Sequence, residues 1–203
     1  MPPEAILFDL GGVIVPFDMT RGYAALERIC NIPAAEIPRR ILASDLVRRF
    51  ETGAIEPREF VAQLSASLGL NASYEEFCRL WSCIFLPHEL IPERAIATLA
   101  ARHRLVLLSN TNALHFEMVA ASYPALRHFH ERALSYEVGW QKPAPEIYRA
   151  AIARAGCAPE RCLFIDDLAV NVEAARREGL DAVQFLDWEA LQPELAARGV
   201  VWE

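Results

Sequence analysis

Ala5-Ile6-Leu7-Phe8-Asp9-Leu10-Gly11-Gly12-Val13-Ile14-Val15 is the stretch on which the fold turns. Four consecutive apolar residues stop at an acid, and a glycine pair follows almost at once. An apolar run this short, with no polar alternation, fits a strand buried on both faces, as in a parallel sheet. Two further runs share the design: Leu105-Val106-Leu107-Leu108 ends at Ser109, and Cys162-Leu163-Phe164-Ile165 ends at Asp166. Weaker strand signals lie at 132–135 and 182–185. A helical pattern follows each strong run, for example Ile147, Tyr148, Ala151, Ile152 and Ala155 after the Pro143–Pro145 segment. Strand alternating with helix predicts βαβ crossovers and an α/β fold, a Rossmann-like open parallel sheet with helices on both faces.

Residues 18–90 read differently. No convincing strand occurs there, but Phe60, Val61, Leu64 and Leu68 share one helical face. Phe77, Leu80, Trp81, Ile84 and Phe85 share another. Ser73 and Glu76 have the spacing of a capping box for that last helix. The expected organisation is a core made of 1–17 and 91–203, with an all-helical cap of residues 18–90 inserted after the first strand.

The chain's 203 residues are 53% hydrophobic and 23% charged, a composition that excludes a disordered or low-complexity protein. A net charge of −7 with dispersed Lys and Arg argues against nucleic acid as a partner. No apolar run approaches bilayer-spanning length, so no membrane is expected. The first residues reach Asp9 without a preceding basic stretch, which is unlike a signal peptide. Five cysteines, an odd number without a C-x-x-C pair, suit a reducing compartment, and the expected location is the cytoplasm. His128 and His130 lack a third ligand at sensible spacing and are not expected to hold a metal.

In open α/β sheets ligands bind beyond the carboxyl ends of the strands, near the point where strand order reverses. Those ends carry Asp9, Ser109 and the pair Asp166–Asp167, and Lys142 precedes a Pro-started helix. Together they supply a carboxylate nucleophile, a hydroxyl, a cation and two further acids. Phosphoryl transfer needs such a set, because an acid facing a phosphate is repelled unless a cation lies between them. Mg²⁺ is the cofactor this set suits, with Asp9 and Asp166 the natural pair of ligands.

Phe8-Asp9-Leu10-Gly11-Gly12-Val13-Ile14-Val15, Leu108-Ser109-Asn110-Thr111-Asn112, Lys142-Pro143 with Ile147-Tyr148, and Phe164-Ile165-Asp166-Asp167 with Asn171 and Ala174-Ala175 stand in a familiar order. With Phe50-Glu51-Thr52-Gly53-Ala54-Ile55 they make the chain resemble the haloacid dehalogenase superfamily. The branch it is similar to contains the small bacterial sugar-phosphate phosphatases, of the glucose-1-phosphate phosphatase kind, with a helical C1 cap. The resemblance implies that Asp9 is nucleophile and metal ligand. It further implies that the Gly11 carbonyl and Asp166 complete the protein's share of the coordination, and that Asp167 adjusts it through water. Ser109 and Asn110 would hold phosphate oxygens, and Lys142 would pair with the nucleophile and the phosphate. The expected substrate is a small phosphorylated metabolite, and the expected assembly a monomer or weak homodimer.

The resemblance has one departure. Most phosphatases of the superfamily carry a second Asp two residues after the nucleophile, as general acid and base; here that position is Gly11. Asp18 is a candidate substitute, and equally a helix N-terminal acid beside Thr20. Glu51 sits in a turn that can face the active site, Arg21 can meet an anion or lie in solvent, and Tyr74, Phe77 and Trp81 fit a core better than a sugar-stacking platform. Two rival functions stay open: a metal-independent 2-haloacid dehalogenase, and a phosphate-binding protein without turnover.

Overall fold

In the computed structural model, which covers all 203 residues, five strands form one parallel sheet. They are β1 (Ala5–Phe8), β2 (Arg104–Ser109), β3 (Glu131–Leu134), β4 (Cys162–Asp166) and β5 (Asp181–Gln184). Each lies within one residue of the run that predicted it. The order β3-β2-β1-β4-β5 places β1 at the centre, and the chain crosses to its other side to begin β4. Strand order therefore reverses at β1, so the ends of β1, β2 and β4 converge on one crevice.

The apolar runs are continuous because both faces of the sheet are covered. All four residues of β1 are fully buried. Ile6 and Phe8 pack with Ile96 and Leu99 of α6 (Glu93–Ala100), Val119 of α7 (Ala113–Ser122) and Leu195 of α11 (Trp188–Ala197). Ala5 and Leu7 point the other way, onto Ile147, Tyr148 and Ala151 of α9 (Pro145–Ala155) and Val172 of α10 (Ala169–Arg177). Each large side chain so buried contributes roughly 1.5–3 kcal/mol. A short helix, α8 (Ser135–Val138), follows β3.

Between β1 and β2 the chain builds α1 (Met19–Glu27), α2 (Ile37–Leu42), α3 (Leu46–Glu51), α4 (Pro57–Leu68) and α5 (Tyr74–Trp81) around a separate apolar cluster. Phe50 and Phe60 stack at its centre, with ring centroids 4.1 Å apart. Phe77 and Trp81 also lie in this cluster. The predicted helical face through Ile84 and Phe85 is interrupted: α5 stops at Trp81, and a 3-10 turn, Ser82–Ile84, follows. Phe85 is extended and pairs antiparallel with Phe17. The chain must return to the sheet here, so it runs beside its own outgoing segment. The Asp18 N–H donates to the Ile84 carbonyl at 2.8 Å and the Leu86 N–H to the Pro16 carbonyl at 3.0 Å. Half of the capping box forms: the Ser73 hydroxyl accepts from the Glu76 N–H at 3.1 Å.

The helical insert also touches the sheet side at Gly53. Its φ of +67° is left-handed, and a Cβ there would be driven into the Tyr136 carbonyl oxygen. The five cysteines are free thiols, and no helix is long and apolar enough to cross a membrane.

Replacing Gly53 by Ala therefore adds a clash to an unfavourable φ. We expect a loss of about 2 kcal/mol or more. Gly69→Ala, at a similar φ of +63° but with nothing within reach, should lose only about 1 kcal/mol. Urea denaturation of the two variants measures the difference, and equal losses would contradict the close approach.

Candidate active site

The crevice gathers the polar strand ends that the sequence singled out. Asp9 follows β1, and its N–H donates to the Ile165 carbonyl of β4 at 2.9 Å, which fixes the residue against the strand carrying Asp166. Lys142 is buried, and its Nζ lies 2.9 Å from Asp9 Oδ1 and 2.6 Å from Asp166 Oδ2. Asp166 is fully buried. Its carboxylate also accepts from the Leu168 N–H at 2.9 Å and from Asn171 Nδ2 at 3.0 and 3.1 Å. Asn171 is held in turn by Tyr148, whose hydroxyl donates to the Asn171 carbonyl at 3.0 Å. Oxygen atoms of Asp9, Asp166 and Asp167 all lie within 4.8 Å of one another.

The loop after β1 explains how Asp167 joins them. Gly12 has φ +79°, and a Cβ there would meet Asp167 Oδ2 at 2.6 Å, so only glycine lets the carboxylate come this close. No backbone N–H donates to the Gly11 carbonyl. A side chain at position 11 would meet the Phe17 ring, 3.1 Å from the Cβ position.

Three carboxylates share one ammonium, so the cluster carries a formal charge of −2 in a nearly dry crevice. Burial pushes the Asp9 carboxyl up to about 7; Lys142 pulls it down and Asp166 pushes it up again. Asp167 is also raised, by burial and then by Asp166. Burial alone would depress Lys142, but its two carboxylate partners outweigh that and hold its ammonium above the usual lysine range. Hard oxygen ligands with uncompensated charge fit a small divalent cation.

Ser109 ends β2 and is 2% exposed; its hydroxyl makes only a long contact, 3.4 Å, to the Asn110 carbonyl, and so is free to bind. The Asn110 side chain is committed: Nδ2 donates to the Lys142 carbonyl at 2.9 Å and Oδ1 accepts from the Lys142 N–H at 2.7 Å. It clamps the lysine's backbone, which leaves its own N–H as the group it can offer a ligand. Beside it, the Ser135 hydroxyl accepts from the Thr111 N–H and donates to the Thr111 carbonyl, both at 2.9 Å.

Asp18 sits apart from this group's hydrogen bonds. It caps α1, accepting from the Thr20 N–H at 2.9 Å and the Thr20 hydroxyl at 2.6 Å, and these bonds lower its pKa. Arg21 donates through Nε to the Cys83 carbonyl. His128 meets Glu93, and His130 accepts from the Leu105 N–H, so neither histidine joins a ligand cluster. Glu51 faces the crevice: its Oε2 accepts from Gln141 Nε2 at 2.7 Å across the gap between insert and sheet. Burial raises its pKa.

A cavity of about 260 Å³ opens between the insert and the strand ends, reaching Gly11, Ser109 and Asn110 at its floor and Glu51 and Trp81 on its walls. His115, which the sequence reading passed over, also lines it. Asn112 Nδ2 lies 3.1 Å from His115 Nδ1, so Nε2 carries the hydrogen and donates to the Trp81 carbonyl at 3.1 Å. Burial lowers the His115 pKa to about 4, which keeps the ring neutral. Gln141 and His115 are invisible to spacing because each acts on a residue far away in the chain, whereas Asn171 reaches Asp166 only five positions before it. The one local signal was Asn112 three residues before His115, a capping arrangement.

Known proteins resemble this chain in sequence and in fold. The family described as haloacid dehalogenase-like hydrolase matches residues 3–179. A D-ribitol-5-phosphate phosphatase of Bacteroides thetaiotaomicron is 29% identical over 185 residues, 88% of this chain and 90% of that protein. A phosphatase of Mycobacterium tuberculosis is 31% identical over 194 residues, 90% of this chain and 87% of its own. The crystal structure of a haloacid dehalogenase family enzyme from B. thetaiotaomicron, in complex with magnesium and inorganic phosphate, superposes with a TM-score of 0.81 at 26% identity. That match covers 93% of this chain and 98% of the other.

The raised Asp9 pKa has a consequence for stability. Its folded value, about 7, exceeds the 3.8 of the unfolded chain, so the folded protein holds the extra proton between these limits. The associated stability is present below about pH 4 and is lost as pH rises through 7. Without metal, we expect unfolding free energy to fall by roughly one to a few kcal/mol more between pH 5 and 8 in wild type than in Asp9→Asn. Urea denaturation in EDTA at both pH values measures this, and identical pH slopes would contradict it.

Proposed function

The chain belongs to the haloacid dehalogenase-like hydrolase family, and we propose that it is a Mg²⁺-dependent phosphomonoester hydrolase acting through an aspartyl-phosphate on a small sugar phosphate. The observation that carries this reading is the Lys142 ammonium shared by Asp9 and Asp166, with the Asp167 carboxylate beside them. Asp9, Asp166 and the Gly11 carbonyl would hold the ion, with Asp167 as the neighbouring carboxylate that would adjust it. When bound, Mg²⁺ supplies the positive charge that lets a dianionic phosphate approach a carboxylate and that draws charge from its oxygens.

The residues then divide the work. Asp9 attacks phosphorus, the alcohol oxygen leaves, and water later cleaves the acyl phosphate to regenerate the carboxylate. Lys142, fixed between Asp9 and Asp166, balances charge on the phosphoryl oxygens, and the Ser109 hydroxyl and Asn110 N–H hold two of them. Asn171 and Leu168 keep Asp166 aimed at the crevice. Residues 18–90 serve as a cap over a core of 1–17 and 91–203, and the cavity beneath them receives the leaving group.

Position 11 offers the leaving oxygen no acid, and the Phe17 ring crowds the space a side chain would enter there. The lowered pKa of Asp18 and its bonds to Thr20 disfavour the protonated form a general acid needs. Substrates with good leaving groups, such as anomeric phosphates, are therefore favoured. A metal-free dehalogenase would have no use for a third carboxylate that concentrates negative charge at the nucleophile, and a mere phosphate binder would have no use for a buried nucleophilic acid at Asp9.

Hydrolysis of p-nitrophenyl phosphate with Mg²⁺, and its loss in EDTA, is the expected outcome. Asp9→Asn should lower kcat at least about a thousandfold. Quenched wild-type enzyme should carry a hydroxylamine-labile phosphoryl label, and sugar 1-phosphates should show higher kcat/KM than 6-phosphates. Turnover that survives both complete chelation and the Asp9 substitution would overturn this reading.

A further inference from the structure

The cavity wall carries an asymmetry of charge. Its apolar lining comes mainly from the insert and its linkers, among them Phe17, Tyr23, Ile41, Trp81 and Phe85, and no Lys or Arg lines it. The histidine on its wall is neutral. Its single acid is Glu51.

Nothing in the fold's own stability accounts for that acid. Glu51 is the last residue of α3, where the negative end of the helix disfavours a carboxylate, and it is half-buried among apolar groups. No cation pairs with it. Oε2 accepts from Gln141 Nε2 at 2.7 Å, which fixes the carboxylate against the loop that leads into Lys142. Oε1 makes no hydrogen bond within the protein and remains an acceptor.

We propose that Glu51 selects the leaving group: the site takes monophosphates whose remaining part is small, uncharged and hydroxyl-bearing, and rejects those carrying a second anion. This rests on the phosphatase reading above and adds a selection rule to it. A hydroxyl of the leaving group donates to Oε1 while its C–H face lies on the aromatic wall. A carboxylate or second phosphate in that place meets an unpaired negative charge in an apolar surround, where repulsion is weakly screened and no protein cation compensates it. The cavity's volume of about 260 Å³ suits a small leaving group.

A matched pair of substrates tests the rule. Glycerol 3-phosphate and 3-phosphoglycerate are similar in size, but a carboxylate replaces a hydroxymethyl group in the second. Wild type should favour the first by about a hundredfold or more in kcat/KM. Glu51→Gln keeps the shape and a hydrogen bond to Gln141 but removes the charge, and should cut that ratio at least about tenfold, mainly through KM. Comparable kcat/KM for the two substrates in wild type overturns the proposal without recourse to any variant, as does an unchanged ratio in folded Glu51→Gln. p-Nitrophenyl phosphate assayed in parallel separates the two levels of inference. Its turnover without discrimination defeats the selection rule alone, whereas no turnover by wild type defeats the hydrolase reading and this inference with it.

Discussion

One ammonium cannot neutralise three carboxylates, and the rest of the site follows from that imbalance. Lys142 lies within 3 Å of Asp9 and Asp166, while Asp167 stands beside them with no cation of its own. Burial makes the excess charge expensive, and it pushes the Asp9 carboxyl up to about 7. Such a cluster is a poor way to stabilise a fold. It becomes a favourable arrangement once a divalent cation enters, and the same cation lets an acid act on an anion.

The sheet is what makes the imbalance possible. Asp9, Ser109 and Asp166 sit at the ends of three adjacent parallel strands, registered so that Phe8 lies opposite Leu107 on one side and Ile165 on the other. Helices on both faces bury all of β1 and β4 and every residue of β2 after Arg104. The polar groups around the cluster then work at one remove. Asn110 fixes the backbone of Lys142, Asn171 orients Asp166, and Ser135 pins Thr111. None of them adds charge; each removes freedom from a group that does.

The strands and their tips were legible in the sequence because both depend on local pattern: a short apolar run, then a polar residue. The helical character of the insert was legible for the same reason. Periodicity failed at Ile84 and Phe85, where the need to return beside Phe17 overrides the helical pattern that their spacing suggested. It gave no view of Gln141 reaching Glu51, 90 positions earlier, or of His115 reaching the Trp81 carbonyl. Those contacts exist only because the insert folds back over the strand ends. For Asp18 the sequence offered two roles, and the bonds to Thr20 show it in the helix-capping one.

Everything in the proposed chemistry requires Asp9 and Asp166 to grip a single ion between them. A crystal soaked with Mn²⁺ as a stand-in for Mg²⁺, measured at the manganese absorption edge, tests it directly. One anomalous peak is expected in the crevice, at about 2.0–2.3 Å from an oxygen of each of the two acids and from the Gly11 carbonyl. An empty crevice, or a peak that touches only one of the acids, would contradict it.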